Sequence, residues 1–294
     1  MEKAVYHLPG LFEFYDFYRK FLPIYRENTE YFYDWCQIGS LYGAPADCLW
    51  AGGRVSTGNA DPRQVLALTE EYGLSARLTF SNSLLRPEHL KDPKCNRLCA
   101  LFGAESGNGV IVHSELLLDY LKEKYPNFYF VSSTTKVLTD FEDLAAETER
   151  PDFRYVVPDF RLNKAFDRLA GLKEKRKVEF LCNECCWPGC RERKACYENV
   201  SRKNLGEHCP DHICAAPEGE KGYRFSAAMK NPAFIGIRDI RETYLPMGFS
   251  QFKIEGRGLG SAMLLEFILY YLTKPEYQLS FREEMYLDSM LDLF

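Results

Sequence analysis

Eight short segments rich in β-branched and aromatic residues recur along the chain with helical patterns between them, an alternation that points to a parallel sheet with helices packed on it. The segments are 34–40, 76–81, 110–113, 128–132, 155–159, 178–183, 234–238 and 251–255. Each but the sixth is followed by a plausible short helix. Asp61 stands as an N-cap before Pro62, with Val65, Leu66, Leu68 and Tyr72 at helical spacing and Gly73 as the stop. Ser114 caps a stripe of Leu116, Leu117, Tyr120 and Leu121 that ends before Pro126. Further helices are expected over 162–171 and 258–273, the last closed by Pro275. An open doubly wound sheet shares this alternation, but a count of eight favours a closed, TIM-like (β/α)8 barrel. At 294 residues and 46% hydrophobic content the chain has the material for its core.

In either architecture, functional side chains gather at the carboxyl ends of the strands. Here those ends are polar: Asn82, His113, Asp159, Asn183, Glu255 and Arg257 are among them, with Ser40, Ser81 and 132–135. Capping of the following helices accounts for part of the serine and threonine content. After the sixth expected strand, residues 184–233 show little amphipathic pattern. An irregular loop of that length is uncommon unless it is functional or held by something.

The cysteines are placed to hold it. There are 11 in the chain, an odd number in a sequence without a secretion signal, which disfavours a disulfide framework. Cys182, Cys185, Cys186, Cys190, Cys196, Cys209 and Cys214 fall in one segment, at spacings that let a loop wrap an ion or cluster. Zinc would use two close pairs, such as Cys182 with Cys185 and Cys209 with Cys214, or His208 or His212 in place of one sulfur. An iron–sulfur cluster takes thiolate at all four corners. Composition leaves both open. Cys36, Cys48, Cys95 and Cys99 sit among apolar neighbours and are expected in the core.

A net charge of −5 argues against nucleic acid as the main partner, and the basic run 173–177 is expected to be a solvated loop. No stretch reaches the ~20 apolar residues of a membrane span. The longest, 259–272, is broken by Glu266. An acidic, aromatic start without the features of a signal peptide predicts a cytoplasmic protein. Gly52, Gly53 and Gly58 form neither a GxGxxG motif nor a P-loop. The expected organisation is one barrel domain over 1–275, including an aromatic helical cap from Tyr6 to Tyr33 and a cysteine-rich loop over 182–233. A tail over 276–294 would present an amphipathic face to a partner subunit.

The run from Asn183 through Cys186, Trp187, Pro188, Gly189 and Cys190 to Arg191 and Arg193 resembles a motif of barrel proteins related to the collagenase-like peptidase family U-32, in which an Asn precedes a CxxxC pair and an Arg. Residues 46–54, with Gly52 and Gly53, are similar to that family's early strand and Gly-Gly turn; 77–82 resemble its second strand and 252–257 its last. The resemblance implies a barrel carrying four cysteines for a [4Fe-4S] cluster. It also implies oxygen-independent hydroxylation of quinone precursors or RNA bases, or peptidase activity. Carried over, the ligands are Cys186, Cys190, Cys209 and Cys214, and Cys196 stands where closer relatives have His.

Three functions follow as expectations. The first is a redox enzyme acting on a small molecule and served by an electron donor. His113, Asp159 and Arg257 would be its catalytic residues, His113 moving a proton and Arg257 clamping a carboxylate or phosphate. Asn82, Asn183 and Glu255 would line its substrate cavity. The second is a binding or assembly protein tied together by an iron–sulfur cluster or zinc. The third, a peptidase, finds no HExxH and no GxSxG. The CxxxCxxC triplet of S-adenosylmethionine radical enzymes is also absent.

Overall fold

The computed structural model of the chain describes residues 3–53, 58–217 and 225–291. Its strands are β1 (Ala4–Pro9), β2 (Cys36–Gly43), β3 (Ser75–Phe80), β4 (Gly109–Val112), β5 (Tyr129–Ser132), β6 (Phe153–Val156), β7 (Glu179–Leu181) and β8 (Gln251–Lys253). All pair in parallel in the order β6-β5-β4-β3-β2-β1-β8-β7. A parallel bridge between Val156 and Val178 joins the two outer strands and closes the barrel. The fold is the expected (β/α)8 barrel.

Two errors in the expected strands cancel in the count. Residues 4–9, of which 6–9 fall in the expected helical cap, form β1, the strand that joins β2 to β8. The segment 234–238 is no strand. Ile235 makes one backbone bond to the Cys182 carbonyl (3.0 Å), and from Ile237 the chain is helical. The cysteine-rich segment therefore follows the seventh strand, not the sixth.

Side chains alternate across the barrel wall. On β3, Ala76, Leu78 and Phe80 pack outward under the helices, and Phe180 on β7, Phe252 on β8 and Cys182 just after β7 do the same. Tyr42, Ile111, Val131, Val157 and Leu181 form a separate apolar layer inside the barrel. A polar layer accompanies it: His7, Arg77, Glu179 and Lys253 are all at most 5% exposed. A β-bulge between Tyr6 and His7 sets His7 opposite Ser40, and the ring bonds the Ser40 hydroxyl at 2.8 Å.

The helices are α1 (Tyr15–Glu27), α2 (Pro62–Glu71), α3 (Pro93–Phe102), α4 (Glu115–Lys124), α5 (Phe141–Glu149), α6 (Phe166–Leu169), α7 (Arg193–Asn204), α8 (Phe225–Met229), α9 (Ile237–Asp239), α10 (Ser261–Tyr271) and α11 (Gln278–Leu291). Asp61 caps α2 by accepting from the amides of Arg63 and Gln64, and Ser114 caps α4. The expected helix over 162–171 contracts to α6. Phe281 of α11 is buried against Phe21 of α1 and Phe32, so this part of the expected tail packs on the barrel's aromatic start. No helix among the described residues is long and apolar enough to cross a membrane.

Candidate functional site

At the carboxyl end of the barrel a cavity of about 310 Å³ opens over the apolar interior layer. Tyr42, Ile111 and Leu181 form its floor, and Lys253 and Glu255, at the end of β8, share its wall with Arg257. Thr79, Ser81 and Ser133–Thr135 supply hydroxyls from the ends of β3 and β5. Cys185 and Tyr197, both from the cysteine-rich segment, form its roof.

That roof is latched by charge. Glu184 is buried; one carboxylate oxygen accepts from the amides of Cys185 and Cys186 at 3.0 Å, and the other receives Arg193 Nη2 at 2.6 Å. Arg193 Nε lies 3.3 Å from Asp159 Oδ2, and Asp159 also holds Arg161 at 2.6 Å. Arg161 in turn donates to the Cys190 carbonyl (2.8 Å). Asn231 bonds the carbonyls of Glu184 and Cys186 from the far side of the segment. The buried residues of α7 are Arg193, Tyr197 and Ser201, four apart along one helix face. That face is polar, so a real helix left no apolar stripe in the sequence.

Of the expected site residues, Glu255 and Arg257 line the cavity. Arg257 pairs with Glu13 on the loop after β1, at 2.7 Å, rather than standing free for a ligand. The others bind the scaffold. Asn82 donates to the carbonyls of Leu49 and Ser201, joining β3 to α7. Asn183 exchanges two bonds with the Glu255 backbone, at 2.7 and 3.0 Å, tying the ends of β7 and β8. Asp159 is committed to the two arginines. His113 bonds Thr135 Oγ1 at 2.8 Å outside the cavity lining. Burial, aided by Lys136 and Lys194, lowers its pKa to about 4, so it is neutral at neutral pH.

The charged layer beneath the cavity was missed. Glu179 accepts Arg77 Nη1 at 2.5 Å and lies 3.5 Å from both His7 and Lys253. Burial opposes its ionisation, but Arg77, His7 and Lys253 hold its pKa at about 2. The signal was present in the alternation of Arg77 with Thr79 and of Gln251, Lys253 and Glu255, because every second residue of those strands faces inward.

Among the seven clustered cysteines, Cys182 is completely buried and faces the helices, and burial pushes its thiol pKa well up. Cys185, Cys186, Cys190, Cys196 and Cys209 are half-buried and Cys214 is exposed. One tetrahedral zinc, with Zn–S near 2.3 Å, needs sulfurs roughly 3.8 Å apart. Among the described residues, the one set of three His, Cys, Asp or Glu side chains with ligand atoms within 4.8 Å of one another is Glu184, Cys185 and Glu255. Cys186, Cys190, Cys209 and Cys214 are not drawn together to that spacing. Arg193 Nη1, buried, has no hydrogen-bond acceptor among the described residues, and its guanidinium is in electrostatic range of Cys186.

Fold and site together define a (β/α)8 barrel with a roofed cavity at the end where such barrels carry their chemistry. A solved structure described as the U32 peptidase Mk0906 has a similar fold, with a TM-score of 0.53 over 88% of this chain and 94% of that one. Sequence identity is 13%, so the likeness speaks to the fold alone. No family model matches the sequence and no curated protein does. The described residues lining the cavity include cysteine and serine but no histidine; the imidazole of His113 meets the cavity through its bond to Thr135.

Proposed function

We propose that the chain is an iron–sulfur redox enzyme that acts on a small molecule in the barrel-mouth cavity, with oxygen-independent hydroxylation as the reaction class that the family resemblance suggests. The observation that carries this reading is that the segment bearing the half-exposed thiols is also the cavity's roof, through Cys185 and Tyr197. A [4Fe-4S] cluster would be held by Cys186, Cys190, Cys209 and Cys214. The donor set suits it: all four are thiols, and Arg193 offers a positive charge beside Cys186 and a buried N–H with no acceptor among the described residues. When bound, it supplies one-electron transfer beside the cavity. The chain's own residues enclose the substrate, present hydroxyls to it and keep bulk water out under the latched roof.

The test is anaerobic purification followed by an ultraviolet–visible spectrum and iron and sulfide analysis, repeated on Cys186→Ala and Cys214→Ala. Iron and sulfide in the parent, and their loss from both variants, are expected. Zinc without iron would sink the redox reading and favour a metal-tied binding protein. Metal retained in both variants would overturn the ligand set.

A further inference from the structure

We infer that Lys253 is a nucleophilic amine and that the cavity takes a small, neutral, hydroxylated aldehyde or ketone with which Lys253 forms an imine. This rests on the cavity being the reaction site, as proposed above, but not on the cluster.

Position comes first. Lys253 is the last residue of β8, its side chain reaches the cavity, and its ammonium lies 4.0 Å from the centre of the Tyr42 ring. Its contact with Glu179 Oε1 is 3.5 Å long, while the other oxygen of that carboxylate holds Arg77 at 2.5 Å. His7, kept neutral by burial and Arg77 with a pKa near 3, adds no charge. Two cations thus share one carboxylate inside the barrel. Arginine does not give up its proton, so the lysine is the group that yields. Burial and the nearby Arg77 and Arg257 outweigh Glu179 and bring the Lys253 pKa down to about 8, leaving roughly a tenth of the amine neutral at pH 7. Exposed lysines at their ordinary pKa have far less.

The cavity also has unfilled oxygen contacts. Thr79 and Thr134 line it, and the hydroxyls of both are buried without a hydrogen-bond partner among the described residues. Buried hydroxyls are nearly always paired, so these two are placed for the oxygens of a ligand. Among the described residues the formal charges around the cavity balance: Arg77, Lys253 and Arg257 against Glu13, Glu179 and Glu255. That balance suits a neutral ligand rather than a strong anion.

The step itself is a condensation. The neutral amine adds its lone pair to the carbonyl carbon while one N–H proton passes to the carbonyl oxygen, and the carbinolamine then loses that oxygen, with the second N–H proton, as water as the C=N bond forms. Nothing is oxidised or reduced.

The test is trapping with glycolaldehyde and sodium cyanoborohydride, read by peptide mass spectrometry on the full chain as purified and on metal-free Cys186→Ala protein. One saturable adduct at Lys253 is expected in both, its rate reaching half-maximum near pH 8. Lys253→Arg, which keeps the charge facing Glu179, should lose the adduct while melting like the parent. Thr79→Val should raise the half-saturating concentration about tenfold. Adducts spread over exposed lysines with Lys253 untouched, or a rate that keeps rising above pH 10, would overturn the inference. Such a failure in iron-loaded protein would leave the cluster reading standing, and an adduct in a parent chain that purifies without iron would do the reverse.

Discussion

Cysteines of two kinds occupy this molecule, and their surroundings rather than their spacing divide them. Cys36, Cys48, Cys95, Cys99 and Cys182 are buried in the layer between barrel and helices, Cys48 and Cys95 with their sulfurs 3.2 Å apart. Burial pushes the thiols of Cys36, Cys99 and Cys182 up, which makes them poor nucleophiles and poor ligands. The other six lie in the segment that carries the roof, five of them half-buried and Cys214 exposed. The core thiols are kept in place by the barrel. The roof thiols are kept in place by a buried chain of ions from Asp159 through Arg193 to Glu184, and that latch is the point at which the two regions can be separated.

Arg193→Met should do so with the largest effect. It removes the guanidinium that joins the buried carboxylates of Glu184 and Asp159, and breaking one partner of a buried pair costs about 3–5 kcal/mol. The measurement is thermal unfolding combined with iodoacetamide labelling of metal-free protein. We expect a lower melting temperature and faster labelling of Cys185 and Cys186, with Cys95, Cys99 and Cys182 still protected. Equal labelling of all these thiols would mean that roof and barrel unfold as one unit.

The division between the regions also marks what the sequence could disclose. Local signals were legible because they act within a few residues: Asp61 before Pro62, and Ser114 before its leucine stripe. Sheet class was legible because both faces of a barrel strand are buried. β1 was not, since Tyr6 among so many neighbouring aromatics matches a helical cap as well as a strand. α7 was hidden because its inward face is Arg193, Tyr197 and Ser201, and such residues count as surface until their partners are known. Asn82 and Asn183 read as substrate ligands for the same reason. A side-chain amide that ties two strand ends looks the same in sequence as one that waits for a substrate. Glu179, Arg77 and Lys253 come from three strands, so only closure of the barrel brings them together.

Cys182 and Cys186, four residues apart, offer the sharpest comparison at intermediate magnitude. Cys182→Ala removes one fully buried sulfur and should cost about 1 kcal/mol, on the scale of a buried methylene, with iron content unchanged. Cys186→Ala should leave the stability of the metal-free chain nearly unchanged and abolish iron binding. Denaturant unfolding with metal analysis of the same preparations checks both. Loss of iron in Cys182→Ala would place that thiol among the ligands and end the division drawn here.

The last expected effect is acid sensitivity at the edge of the site. His113 has its pKa lowered to about 4 by burial and by Lys136 and Lys194, against about 6.5 in the unfolded chain. Below pH 6.5 the unfolded state takes up a proton that the folded state refuses until pH 4. The stability that His113 contributes is therefore complete above 6.5 and declines as the pH falls towards 4. Glu179, held at about 2, acts in a lower window, from its unfolded value near 4.5 downwards. His7, near 3, shares the upper window and would persist in a variant at 113. His113→Asn should consequently lose less melting temperature between pH 7 and pH 5 than the parent does, without becoming pH-independent. An equal loss would mean that His113 takes up its proton in the folded chain as readily as in the unfolded one, and that it faces water rather than the packed edge formed with Thr135.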